Sequence, residues 1–154
     1  MLPTKSPIVA AVLALILLNF VCSAGAKEQA TAVKTLSAGQ IAAIVQQANA
    51  ALNDVARKGA IPAQADQLFA LYSTGFVYQH DKYGGVYTRE QLYRNTLKMI
   101  QHGGDNSQTD RYQLLQILPG ESSAAVLRLT RDGEQHLSVF EFSGDKISKI
   151  KEYW

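Results

Sequence analysis

The sequence predicts an α+β fold, a cone-shaped arrangement of three helices packed on a strongly bent, mainly antiparallel sheet in the order α-α-β-β-α-β-β-β-β. Three observations lead to it. Apolar residues recur at helical spacing from Ile41 to Val55. Two capping-box signatures, Ser37 with Gln40 and Thr88 with Gln91, mark helix starts. From Asp110 onward the period turns strand-like, broken at Pro119-Gly120, Asp132-Gly133 and Gly144-Asp145. Helices segregated from an antiparallel meander indicate α+β, with the helices on one sheet face. A sheet bent around helices leaves a conical cavity open at one end.

Each element has its own signal. Ile41, Ile44, Val45, Ala48, Leu52 and Val55 form the apolar stripe of a first helix that Gly59 ends. Pro62 opens a second, shorter helix with Leu68, Phe69, Leu71 and Tyr72 on its apolar side. Phe76 to His80 read as a strand, Gly84-Gly85 as a turn, and Val86-Tyr87 as a short extended piece. The helix begun at Thr88 stops at Gly103-Gly104. Four strands follow over Arg111–Leu118, Ala124–Thr130, Gln135–Phe142 and Ile147–Trp154.

The chain has 154 residues, 47% hydrophobic and 18% charged, within the range of one globular domain. Its first 26 residues read as a signal peptide. Lys5 supplies the positive charge, Ile8 to Phe20 are apolar except Asn19, and Ala24 and Ala26 are small residues suited to a cleavage site. Thirteen residues fall short of the roughly 20 that span a bilayer, which disfavours a retained anchor. Cys22 lacks the leucine three residues before it and the small residue just before it that accompany lipidation; Asn19 and Val21 stand there. Residues 27–36 read as a flexible leader and 37–154 as the domain. The mature chain would hold 128 residues (154 less 26) and no cysteine, so it holds by core packing. Loss of Lys5 leaves 14 basic residues against 13 acidic, which offers no electrostatic case for nucleic acid, or for a membrane once the signal is removed. The expected localisation is export, to a bacterial periplasm or outside the cell.

Candidate site residues centre on the first strand. Phe76, Tyr78 and His80 share one face that grades from apolar to ionisable, as suits a pocket wall. His80 is the candidate general acid or base, because imidazole exchanges protons near neutral pH. Asp81 and Tyr83 follow it, but adjacent strand residues face opposite ways, so Asp81 diverges from His80 unless the backbone turns. Tyr83 or Tyr87 is a candidate donor to a developing oxyanion, and Trp154 a candidate pocket wall or core residue. His136 is a weaker candidate at a hairpin, where a solvated strand end is the commoner outcome. His102 sits where a positive charge favours a helix C-terminus. Lys146, Lys149 and Lys151 read as a solvated sheet edge. Histidine spacing and the absence of a mature thiolate point to no metal, and the glycines lack phosphate-loop or dinucleotide spacing, so no cofactor is expected.

The run Phe76-Val77-Tyr78-Gln79-His80 leading to Gly84-Gly85, the helix start Thr88-Arg89-Glu90-Gln91-Leu92 and the ending from Gly144 to Trp154 resemble the SnoaL-like branch of the nuclear transport factor 2-like superfamily, as an exported member. That branch includes bacterial polyketide cyclases, ketosteroid isomerase and scytalone dehydratase. The resemblance covers about Ser37 to Trp154 and implies a cone with the first strand on its inner wall. The full catalytic sets of the superfamily's enzymes do not map onto defined positions here. The resulting expectation is a domain that binds a small apolar or aromatic molecule in its cone, with Tyr78, His80, Tyr87 and Trp154 at the pocket. The alternatives are a cofactor-independent lyase or isomerase using His80, and a module that forms a homodimer through its outer sheet face. Cleavage after Ala26 is expected to give a mature chain beginning at Lys27. N-terminal sequencing of protein recovered from the periplasm or medium checks this, and a start at Met1 or a lipidated Cys22 would refute it.

Overall fold

The computed structural model describes residues 35–82, 84–104 and 108–154. The signal segment with Cys22, the leader up to residue 34, and Tyr83 lie outside the described residues. The element order matches the expectation: α1 (Ala38–Ala56), α2 (Pro62–Ala70), β1 (Tyr72–His80), β2 (Gly85–Thr88), α3 (Arg89–Gln101), β3 (Tyr112–Pro119), β4 (Ser123–Thr130), β5 (Gln135–Ser143) and β6 (Lys146–Glu152).

Local chemistry explains the boundaries. At α1 the Ser37 hydroxyl accepts the Gln40 N–H while the Gln40 side chain accepts the Ser37 N–H; Thr88 and Gln91 do the same at α3. Pro62 opens α2, and the Ile61 N–H just before it donates to Oε1 of Gln64 at 2.8 Å. The turn between β1 and β2 needs both glycines for different reasons. Gly84 has φ +63°, and a Cβ on Gly85 would collide with the Tyr87 ring.

The six strands form one sheet in the order β2-β1-β6-β5-β4-β3. All pairings are antiparallel except β1 with β6, so the last strand inserts beside the first. The register shifts between Tyr72 and Val77, Leu114 and Gln116, and Glu141 and Phe142, where the ladders are irregular or bulged, and a sheet bends most readily at such places. One core cluster lies between α1 and the sheet, around Ile41, Val45, Phe76, Val126, Phe140 and Ile147. A second lies among the helices, around Val55, Ala65, Leu68, Phe69 and Ile100. Leu36, expected in the leader, packs against the first cluster.

The reading of Lys146, Lys149 and Lys151 as a sheet edge is corrected. Strand β6 lies between β1 and β5, and the edges are β2 and β3. The lysines instead answer nearby oxygens: Lys151 lies 3.2 Å from Asp81, Lys149 3.5 Å from Glu141, and Lys146 donates to the Ala70 carbonyl at 2.9 Å. Short turns are common at both edges and in interior meanders, so loop lengths alone did not reveal the strand order.

One buried amide joins the layers. Asn53 on α1 donates through Nδ2 to the Tyr112 carbonyl at 2.8 Å and accepts the Tyr112 N–H through Oδ1 at 3.0 Å, and is 4% exposed. This side chain replaces a backbone partner for the first residue of β3. Asn53→Ala is expected to destabilise the fold by about 2 kcal/mol by stranding the Tyr112 N–H. Urea unfolding checks this, with a lowered midpoint as the expected result.

Candidate functional site

A cavity of about 260 Å³ lies between the helices and the concave sheet face. Its helical wall comes from Ala48, Asn49 and Leu52 of α1, Leu68 and Phe69 of α2, and Leu92, Asn95, Thr96 and Met99 of α3. The sheet supplies Tyr72, Phe76 and Tyr78 from β1, then Tyr112, Arg128, Phe140, Ile150 and Glu152. Aromatic rings line one side: Tyr72 stacks on Phe76 with centroids 4.1 Å apart, and Phe69 meets Tyr72 edge-on at 5.2 Å.

The sheet wall holds a buried ionic network. Arg128 Nη2 donates to Glu152 Oε1 and to Ser138 Oγ, each at 2.7 Å. The Ser138 hydroxyl donates to Glu152 Oε2 at 2.5 Å, and the Trp154 indole N–H donates to that oxygen at 2.7 Å. Both side chains of the ion pair are about 95% buried. Register explains the meeting: Ser138 stands opposite Glu152, and Arg128 lies opposite His136, one step along the same face. The Arg128 guanidinium also lies 4.2 Å over the Tyr112 ring. Burying these charges is costly, and the pairing and hydrogen bonds offset that cost.

Tyr72 and Tyr78 sit beside this pair. Burial pushes the Tyr78 phenol far above its ordinary range, with Glu152's charge adding to the effect; burial does the same to Tyr72. Both remain protonated at neutral pH, so they offer O–H donors and no phenolate base. Neither hydroxyl is tied up in a hydrogen bond among the described residues.

Of the residues singled out from sequence, Tyr78 lines the cavity. His80 is on the same face but one step along, opposite Glu152 in the parallel pairing, and its ring meets the Trp154 indole edge-on at 4.3 Å. His80, Tyr87 and Trp154 are not among the cavity-lining residues. The Tyr87 ring lies 6.2 Å from Tyr78. Asp81 turns away to Lys151, as strand alternation requires. His136 is corrected from a solvated strand end: it is 5% exposed and stacks on Trp154 with centroids 3.5 Å apart. His102 caps α3, with Nδ1 2.6 Å from the Lys98 carbonyl. Among the described residues no group of three metal-ligating side chains occurs.

Arg128 and Glu152 were missed as a pair. The signal was present: a lone arginine on the face of β4 shared by Ala124 and Val126, matched by a glutamate on the Ile150 face of the last strand. A charge on each of two core faces calls for a partner.

Comparison with solved structures identifies the architecture. An NTF-2-like protein of unknown function from Burkholderia xenovorans LB400 superposes with a TM-score of 0.56 at 14% identity, over 75% of this chain and 82% of that one. A SnoaL-like protein of unknown function from Burkholderia thailandensis E264 gives 0.58 at 16%, over 77% and 97%. A putative ketosteroid isomerase from Kribbella flavida DSM 17836 gives 0.54 at 19%, over 76% and 78%. No family model and no curated protein sequence matches the chain. The chain has the NTF2-like fold.

His136 makes the stability of the fold depend on pH. Burial lowers its pKa from the ordinary 6.5, outweighing the nearby Glu134 carboxylate at 3.5 Å. The unfolded chain therefore takes up the proton first, so stability is full above pH 6.5 and falls as pH drops from there toward the depressed folded value. His136→Phe is expected to flatten the loss of stability between about pH 7 and pH 5. Denaturant unfolding at several pH values checks this; an unchanged slope would refute it.

Proposed function

We propose that this NTF2-like domain binds a small, largely apolar or aromatic molecule in its cavity and works outside the cytoplasm. The observation that carries the reading is the cavity itself. Its walls are mostly aliphatic and aromatic, with a few polar groups such as Tyr78, Asn49 and Thr96 to orient a ligand. That composition is typical of small-molecule sites, whose volumes usually run from about 300 Å³ upward, so a compact ligand is implied. Export is supported by Lys5, the apolar run Ile8 to Phe20 and the small residues before Lys27.

The isomerase alternative draws on the likeness to a putative ketosteroid isomerase, but the groups at the cavity do not favour it. Both Glu152 oxygens are engaged, the tyrosines are held protonated, and the Trp154 indole packs against His80. Homodimer formation has separate support on the outer sheet face, where Leu115, Leu118 and Leu137 are 43–57% exposed. Sedimentation showing only monomer at micromolar concentration would remove that second reading.

Neutral aromatics such as indole and 1-naphthol are expected to raise the melting temperature, and Thr96→Trp, which puts a large ring into the cavity, is expected to abolish the shift with the fold retained by circular dichroism. An absence of any shift, joined by unperturbed amide spectra, would sink the ligand-binding reading.

A further inference from the structure

The cavity carries a positive charge that its own walls leave uncancelled. Arg128 is neutralised by Glu152. Arg111, immediately before β3, is different: it lines the cavity, is exposed, and forms no ion pair or side-chain hydrogen bond among the described residues. Its neighbour Asp110 is committed to Arg57, which also faces Asp54. The Arg111 guanidinium lies 5.4 Å from the centre of the Tyr112 ring, and among the described residues no side chain accepts its N–H groups. Its charge also reaches inward, opposing the upward push that burial gives the Tyr78 phenol.

The buried and the exposed parts of the cavity lining are therefore unlike. Phe69, Tyr72, Phe76 and Phe140 suit an apolar or aromatic body, while the exposed lining residues Arg111 and Asn95 mark a polar, cationic rim. A guanidinium fork matches a carboxylate in geometry and charge. A cation would be repelled there, and a neutral ligand would leave the fork to water.

We propose that the cavity selects a compact apolar monocarboxylate, its body among the aromatic side chains and its carboxylate held at the rim by Arg111. This rests on the ligand-binding reading and names the class of ligand. Arg111 is then the specificity-determining residue.

The test uses a matched pair, 3-phenylpropanoate and 3-phenylpropanamide, titrated by calorimetry into the purified protein and its Arg111→Gln variant. The acid is expected to bind roughly three- to tenfold more tightly than the amide at low salt, as suits an arginine pair near the surface. The gap should close in Arg111→Gln with the amide's affinity unchanged, and should narrow in high salt. Equal affinities in the unaltered protein, or a preference for the acid that survives in Arg111→Gln, would overturn the proposal while leaving ligand binding intact. Binding of neither compound, together with no melting shift from indole or 1-naphthol, would remove the ligand-binding reading and this one with it.

Discussion

The ion pair between Arg128 and Glu152 constrains the inner face of the sheet. Two charges about 95% buried must find each other or their burial becomes prohibitive, and here they also recruit Ser138 from the intervening strand. Strands β4, β5 and β6 are thereby locked in one register at the cavity wall. The pair extends in two directions. Through Glu152 it fixes the Trp154 indole, which in turn packs His80 and His136. Through the guanidinium it reaches the Tyr112 ring, whose backbone is held by Asn53 of α1. A continuous line of contacts thus connects the last strand to the first helix.

That line also accounts for a hollow interior. The groups that hold β4, β5 and β6 on the concave face are hydrogen-bonded to each other within the sheet, so they need no helical side chain to satisfy them. The helices pack on each other through their own apolar cluster, and α1 closes on the sheet through Ile41, Val45 and Ala48. Space of about 260 Å³ remains between the two layers. Side chains facing this space are mostly apolar, with Tyr72 and Tyr78 keeping protonated hydroxyls at its edge.

Much of the fold was legible because its signals are local. Ser37 with Gln40 and Thr88 with Gln91 satisfy orphan N–H groups within one turn, and the pairs formed as the spacing implied. Strand ends at Pro119-Gly120, Asp132-Gly133 and Gly144-Asp145 held to within a residue or two for the same reason. Tyr72 was the exception: assigned to the apolar side of α2, it opens β1, because the pairing of that strand with β6 extends it four residues toward its N-terminus. The lysine run was misplaced for a related reason, since nothing local says that β6 will lie between β1 and β5.

The candidate site divides along the same line. Tyr78 could be placed on the inner wall from strand alternation alone, and so could the divergence of Asp81. Whether His80 or Arg128 faces the cavity depends on which strands are neighbours and on their register, and those rest on pairings between residues distant in sequence, such as Arg128 with Glu152, 24 positions apart. The sequence by itself determined the element order, the caps, the turns and the alternation of faces, because each depends on groups a few residues apart. Only the tertiary structure decided the strand order, the partner of the buried arginine and the place of Arg111 at the cavity, because charge pairing and cavity shape are properties of residues brought together by folding.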